Sequence, residues 1–244
     1  MNYFTWAIIG FTVLISFLTF RNRGLYEGLL FSVEGVLGRK EWYRILTSQL
    51  LHVDITHLFF NMFSFYSFAR SIEGDQGGGI LALIYFGSAV GGDLLALLLQ
   101  RRNFLYRAVG ASGAVSGVIF AYIFLFPGSS LMIFPVPFPI PAWGFALLFV
   151  VISLYGMGRQ SSDIGHEAHL GGALTGTALI MALYPELLSR HALLLAGVTV
   201  PILLFFVINH FRPGMLRLGG NSGERPERRE TSAASGPGGE EKPE

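Results

Sequence analysis

Three sets of uncharged polar side chains in this sequence have the types and spacings that hydrolytic chemistry uses. In "AVGASGAVSGVIF", Ser112 stands among small residues at the expected start of a helix. Amides in a first helical turn lack intrahelical partners, and the helix dipole favours negative charge there, which suits a developing oxyanion. In "GHEAHLGGALTG", His169 opens a second helix, and Gly172 and Gly176 follow three and seven residues later on its own face. In "LLHVDITHLFFNMFSFY", His57 and Asn61 lie four residues apart, so both donors share one face of a third helix. A serine hydroxyl becomes a useful nucleophile when a histidine takes its proton, and the tetrahedral intermediate then needs donors aimed at its oxygen. Ser112 and His169 meet the first need. The Ser112 amide with the His57 and Asn61 side chains meets the second.

Each set also has a plainer reading. Gly113 and Gly117 form a GxxxG pair that lets another backbone approach. His57 and Asn61 could serve only interhelical packing. Ser116 resembles a second candidate serine, but residue 114 is not glycine. His166-Glu167-Ala168-His169 is one residue short of HExxH, which leaves its two histidines three apart, so no metal is expected.

The elements that must carry these residues are set by the distribution of charge. Of 33 charged residues, twelve fall in Arg212 to Glu244, which leaves the preceding 211 residues with 21. Soluble domains carry roughly a quarter charged residues. With 52% hydrophobic residues and a mean hydropathy of +0.53, residues 1–211 read as a polytopic membrane protein followed by a polar tail. The net charge of +1 and the lack of any basic stripe give no sign of nucleic acid as a partner, and the absence of Cys excludes disulfides and thiolate metal sites. The uncharged stretch Met1 to Phe20 lacks a basic n-region and a cleavage site, and reads as a retained helix. Seven spans are expected, at about 3–20, 46–69, 78–99, 109–126, 140–157, 167–184 and 191–209. Pro127-Gly128-Ser129-Ser130 and the prolines at 135, 137, 139 and 141 split the uncharged stretch Ala108 to Gly158 into two helices and a turn. The loop 21–45 is too apolar for a solvated linker and is expected to fold onto the membrane surface. Spans two, four and six all start on one side, so the three polar sets share a depth.

With those residues in place, the chain resembles the rhomboid family of intramembrane serine proteases over about residues 38–176. His57-Leu-Phe-Phe-Asn61 is similar to the family's HxxxN, Gly110-Ala-Ser112-Gly113 to its GxSG, and Ala168-His169-Leu-Gly-Gly172 with Gly176 to its final histidine helix. Glu41-Trp42-Tyr43-Arg44 resembles its first-loop signature, and His52 and Glu73 stand where the family often has them. The resemblance implies an all-α bundle of six helices plus one extra C-terminal transmembrane helix. Residues 1–209 would form the membrane domain, with a core at about 38–184 and the extra helix at 191–209, and 210–244 would be a disordered polar tail.

The resemblance further implies a Ser112–His169 dyad without an acidic third member, with oxyanion donors at His57, Asn61 and the Ser112 amide. Glu41 and Arg44 would hold the first loop. His52 and Glu73 would be structural, and Gly110, Gly113, Gly117, Gly172 and Gly176 would be close-packing positions. The implied partners are the lipid bilayer and substrates that are transmembrane segments of other proteins. No cofactor is implied, and a bacterial cytoplasmic membrane is the expected location. The competing readings are a non-catalytic rhomboid-like protein that binds transmembrane clients, and a small transporter. The two cues to sidedness disagree. The loops 21–45 and 101–107 hold five and three Lys/Arg on the site's side, which the positive-inside rule assigns to the cytoplasm, whereas the family resemblance implies an extracytoplasmic opening.

Overall fold

The computed structural model describes residues 2–132, 137–159 and 165–212. The expected tail, apart from its first three positions, and Pro135 of the proline-rich turn lie outside the described residues. The first helix, α1 (Tyr3–Arg21), buries Thr5, Ile8, Thr12, Ser16 and Thr19 and turns Phe4, Trp6, Phe11, Leu14 and Phe17 outward. Hydroxyls inside and large apolar groups outside invert the pattern of a soluble amphipathic helix and suit a lipid surround.

The loop that follows is folded throughout. It contains α2 (Arg23–Leu29), β1 (Phe31–Ser32), a π-helical turn at Glu34–Gly38, α3 (Arg44–Thr47) and a 3-10 turn at Ser48–Leu50. Phe31, Val33, Val36 and Ile45 build a small core of their own with Leu97. Arg44 is 4 % exposed, and its guanidinium donates to the carbonyls of Glu27 and Leu30 at 2.8 and 2.7 Å and to Glu41 Oε2 at 2.6 Å. The Arg44 hydrogen bond holds the Glu41 carboxyl below its ordinary value, helped by Arg39 and opposed by desolvation. A carboxyl depressed in this way contributes fully above the ordinary Glu range, and loses its contribution as pH falls through the folded value.

The second expected span, 46–69, is displaced in the structure. Its helix, α4 (Ile55–Gln76), starts later because Asp54 caps it, with Oδ1 accepting from the His57 amide at 2.7 Å. It ends at Gly77, whose φ of 87° stops the helix and starts α5 (Gly78–Gln100). Next come β2 (Arg107–Ala108), which pairs antiparallel with β1, and α6 (Ser112–Leu125). The proline-rich turn holds β3 (Ser130–Leu131) antiparallel to β4 (Ile140–Pro141). It is followed by α7 (Ala142–Arg159), α8 (His166–Leu183), the short α9 (Glu186–Arg190) and α10 (Ala192–Phe211), which packs on α7. Six of the seven expected spans therefore fall mainly on one helix each, and the second overlaps α4 only from Ile55 onward. By length and composition α1, α5 and α10 are able to cross a membrane, while α6 and residues 142–157 are shorter apolar helices.

The closest packing joins α5, α6 and α8, and it is backbone on backbone. A Cβ on Gly172 would collide with the Gly113 carbonyl, and one on Gly176 with the Gly117 carbonyl. In return, a Cβ on Gly113 would lie 3.2 Å from the Ala168 carbonyl oxygen, and one on Gly117 would lie 2.7 Å from that of Gly172. The glycine faces expected from the sequence thus meet each other. At the far end of α4, Glu73 caps α1. Its Oε1 accepts from the Phe4 amide at 2.9 Å, and its Oε2 from the Thr5 amide and hydroxyl at 2.8 and 2.6 Å.

Two stability outcomes follow from this packing. Gly172→Ala is expected to cost about 1–3 kcal/mol by overpacking, whereas Gly79→Ala, at an exposed helical glycine with nothing within 4 Å, should stay within about 0.5 kcal/mol of wild type. Arg44→Ala strands two carbonyls and leaves the Glu41 carboxylate with Arg39 alone, and should cost roughly 1–3 kcal/mol. Arg44→Lys should recover only part of that loss, because an ammonium cannot supply the fork of donors. Unfolding midpoints in a single detergent check both; equal losses at positions 172 and 79 would refute the packing argument.

Candidate active site

Each residue of the candidate site lies in the first two turns of a helix, and the helices start at the same end of the bundle. Ser112 is the first residue of α6, and the first intrahelical bond there runs from Val115 N to Ala111 O at 2.9 Å. The amides of Ser112, Gly113 and Ala114 therefore have no acceptor within their own helix. His169 is the fourth residue of α8, its backbone tied to Gly165 O at 3.1 Å. Its Nε2 lies 2.6 Å from Ser112 Oγ. Both residues are half-buried, so the pair is screened yet reachable.

The histidine–asparagine pair comes from α4. Gly110 takes φ of 120°, and a Cβ there would lie 2.7 Å from His57 Cε1 and 3.8 Å from Ser112 Oγ. The His57 ring and the Ser112 hydroxyl thus converge on one glycine. A side chain at 110 would be strained by its backbone conformation and would also strike the His57 ring. Asn61, buried one turn along, donates through Nδ2 to the His57 carbonyl at 3.0 Å and keeps a second N–H. Behind His57, the buried His52 ring stands edge-on at 4.9 Å between centroids. Ser16 Oγ gives its hydrogen to Leu50 O at 2.8 Å and lies 2.9 Å from His52 Nδ1, so the His52 proton belongs on Nδ1.

The other expected residues divide in two. Gly113, Gly117, Gly172 and Gly176 line the contacts that hold Ser112 and His169 together, and Gly110 faces the His57 ring. Glu41 and Arg44 make their bonds inside the first loop, and Glu73 makes its bonds at the start of α1. Glu167 is turned away from His169, with Oε1 accepting from Gln100 Nε2 at 2.7 Å. Ser116 donates to the Ser112 carbonyl at 2.7 Å, a helix-internal bond. Sequence reasoning passed over Asp93, a carboxylate in the middle of α5, and Ser48, whose hydroxyl donates to it at 2.8 Å. The signal was present, since an aspartate within an apolar span is costly unless it has a role.

A hydroxyl and an imidazole at this distance, beside free helix-terminal amides, can support acyl transfer. The chain spans a third to about two thirds of the length of the three relatives compared. It is 27% identical over 178 residues to Rhomboid protease GluP of Bacillus subtilis, covering 71% of this chain and 33% of that protein. It is 32% identical over 135 residues to the mitochondrial Rhomboid protein 1 of Saccharomyces cerevisiae, covering 54% and 39%. With Rhomboid protease AarA of Providencia stuartii it shares 27% over 179 residues, covering 67% and 62%. Another relative is named as chloroplastic, so the likeness extends well beyond bacterial membranes. The Rhomboid domain model matches residues 39–186, more than half of the sequence, and takes in every residue of the candidate site; the chain is an integral membrane protein of the rhomboid family.

Proposed function

We propose that this chain is an intramembrane serine endopeptidase that cuts peptide bonds in or near transmembrane segments of other proteins, using a Ser112–His169 dyad in a six-helix rhomboid bundle with α10 as an added helix. The observation that carries the reading is the 2.6 Å approach of His169 Nε2 to Ser112 Oγ, enforced by glycine contacts between α6 and α8. The Ser112 proton passes to His169 Nε2 as Oγ bonds to the scissile carbonyl carbon. The carbonyl oxygen becomes an oxyanion, taken up by the Ser112 amide, the free N–H of Asn61 and the His57 ring. His169 then gives its proton to the departing amine, the C–N bond breaks, and an acyl-Ser112 ester remains. Water, deprotonated by the same histidine, cleaves that ester and restores Ser112.

No carboxylate is assigned to His169; Glu167, the nearest in sequence, is engaged with Gln100. Orientation of the imidazole falls instead to the packing of α8 on α6 and to the Phe149 and His166 rings, at centroid distances of 6.5 and 6.2 Å. The substrate must present an extended carbonyl, because a helical peptide shields it. A weak helix around the scissile bond meets that need, and the family resemblance adds a small residue before it.

A fluorophosphonate probe is expected to label the wild-type protein at Ser112, and labelling should vanish in Ser112→Ala and His169→Ala. Persistence in Ser112→Ala would overturn the nucleophile, and an unreactive wild type would favour a client-binding protein without catalysis. Asn61→Ala should slow cleavage of a transmembrane peptide by about 10–1000-fold through loss of one donor while its unfolding midpoint stays close to wild type. If the variant unfolds instead, Asn61 acts through packing.

A further inference from the structure

Asp93 sits in the middle of α5, is 2 % exposed, and forms no ion pair among the described residues. A lone acidic side chain in an apolar helix is costly, and leucine or alanine would fill the place more cheaply. Its role can be traced through what it touches. Ser48 Oγ donates to Asp93 Oδ2 at 2.8 Å, in preference to the Ile45 carbonyl at 3.5 Å that a free 3-10 turn would use. The buried Gln49 adds its Nε2 at 3.5 Å from the same hydroxyl. The Ser48 carbonyl in turn accepts from the Gly110 amide at 3.0 Å. Gly110 is the left-handed residue against which the His57 ring rests, two positions before Ser112. The neighbouring Gly92 works on the other half of the dyad. A Cβ there would lie 2.7 Å from the Ala168 carbonyl oxygen, next to His169. One point of α5 therefore reaches the serine loop by hydrogen bonds and the histidine helix by contact.

We propose that Asp93 is a positioning residue. Through Ser48 it fixes the Gly110–Ser112 loop, and so sets Ser112 Oγ against His169 Nε2 and Gly110 against His57. The role rests on the protease reading given above. The chain Asp93–Ser48–Gly110 links α5 to the loop without a charge reaching the site. Without the carboxylate, the Ser48 hydroxyl is free to turn back to the Ile45 carbonyl, and the 3-10 turn loses its tie to α5.

A double-mutant cycle tests the tether on the full chain in detergent or nanodiscs. Asp93→Ala and Ser48→Ala should each lower the fluorophosphonate labelling rate and the peptide kcat by about 10–100-fold, as expected of a small displacement in the site. KM should hold within about twofold, and the double variant should be no slower than either single one within the same about twofold margin. Asp93→Asn keeps an acceptor for Ser48 and should restore most of the rate. An activity-free measurement accompanies the cycle. Hydrogen exchange at the Gly110 amide should speed up in Asp93→Ala and in Ser48→Ala, even in a Ser112→Ala background. If the rate loss only tracks an unfolded fraction, if the two losses multiply, or if Gly110 exchange is unchanged, the tether is refuted. Should Asp93→Ala fail to fold, Ser48→Ala carries the same readouts. A wild type inert to the probe whose Gly110 exchange still responds would sink the protease reading and leave the tether standing. A reactive wild type matched in rate by Asp93→Ala would do the reverse.

Discussion

Two helices whose backbones touch cannot be respaced by side-chain adjustment, and that constraint governs this molecule. Gly113 and Gly117 of α6 meet Gly172 and Gly176 of α8 so closely that one methyl group at either of the latter would strike a carbonyl. In lipid there is little hydrophobic gain from bringing helices together, so close van der Waals contact over small residues must supply the association. The same contact fixes the distance between the first residue of one helix and the fourth of the other, which are Ser112 and His169. The site is thus a by-product of the tightest packing in the fold. α5 completes the arrangement, because Gly91 and Gly92 lie under α8 at Thr175 and Ala168, and Ser88 sits against Gly117.

A second feature of the structure is that many polar side chains are spent on backbone. Arg44 holds two carbonyls, Glu73 holds two amides and a hydroxyl, Asp54 caps α4, Thr47 Oγ1 donates to Leu29 O at 2.7 Å, and Ser16 ties α1 to the turn before His52. An unsatisfied group away from water costs several kcal/mol by transfer estimates, so each bond replaces a hydration that the surround does not offer. This is why the first loop folds instead of trailing, and why α1 can bury Thr5, Ser16 and Thr19 while facing outward with phenylalanine and tryptophan.

Much of this was legible in the sequence, and the failures have physical causes. Glycine pairs spaced by four, placed beside a serine and a histidine, announced the contact between their two helices, because in an apolar helix only small residues allow such an approach. The start of α4 was misread because Ile45, Leu46, Leu50 and Leu51 continue the apolar run. The deciding signal was a single side chain, Asp54, whose capping bond to the His57 amide is local geometry and leaves no periodic trace. The stripe Thr5, Thr12, Ser16 and Thr19 is weakly polar and vanishes in a hydropathy average. Glu73 could be placed as structural by resemblance, but its partner 68 residues earlier could not be read without coordinates. Asp93 was overlooked for the opposite reason. Its neighbours make so convincing a span that one carboxylate did not disturb it.

The arrangement also bears on how an oxyanion could be stabilised where charge is expensive. A cation beside Ser112 would need its own counter-charge or solvation in a poorly hydrated site. Three helices, α4, α6 and α8, instead begin at one end of the bundle with their unpaired amides and positive dipole ends directed towards it. Asp54 spends part of that field on capping α4, and Glu167 sits in the first turn of α8 but is held by Gln100, whereas the N-terminus of α6 has neither a side-chain cap nor an acidic residue in its first turn. The terminus that lacks both is the one that carries Ser112. The Ser112, Gly113 and Ala114 amides have no acceptor within that helix, and the proposed tetrahedral intermediate would supply one. Stabilisation of this kind draws on backbone fixed by the fold and needs no mobile charge, which is consistent with a site made of one serine, two histidines and an asparagine among glycines.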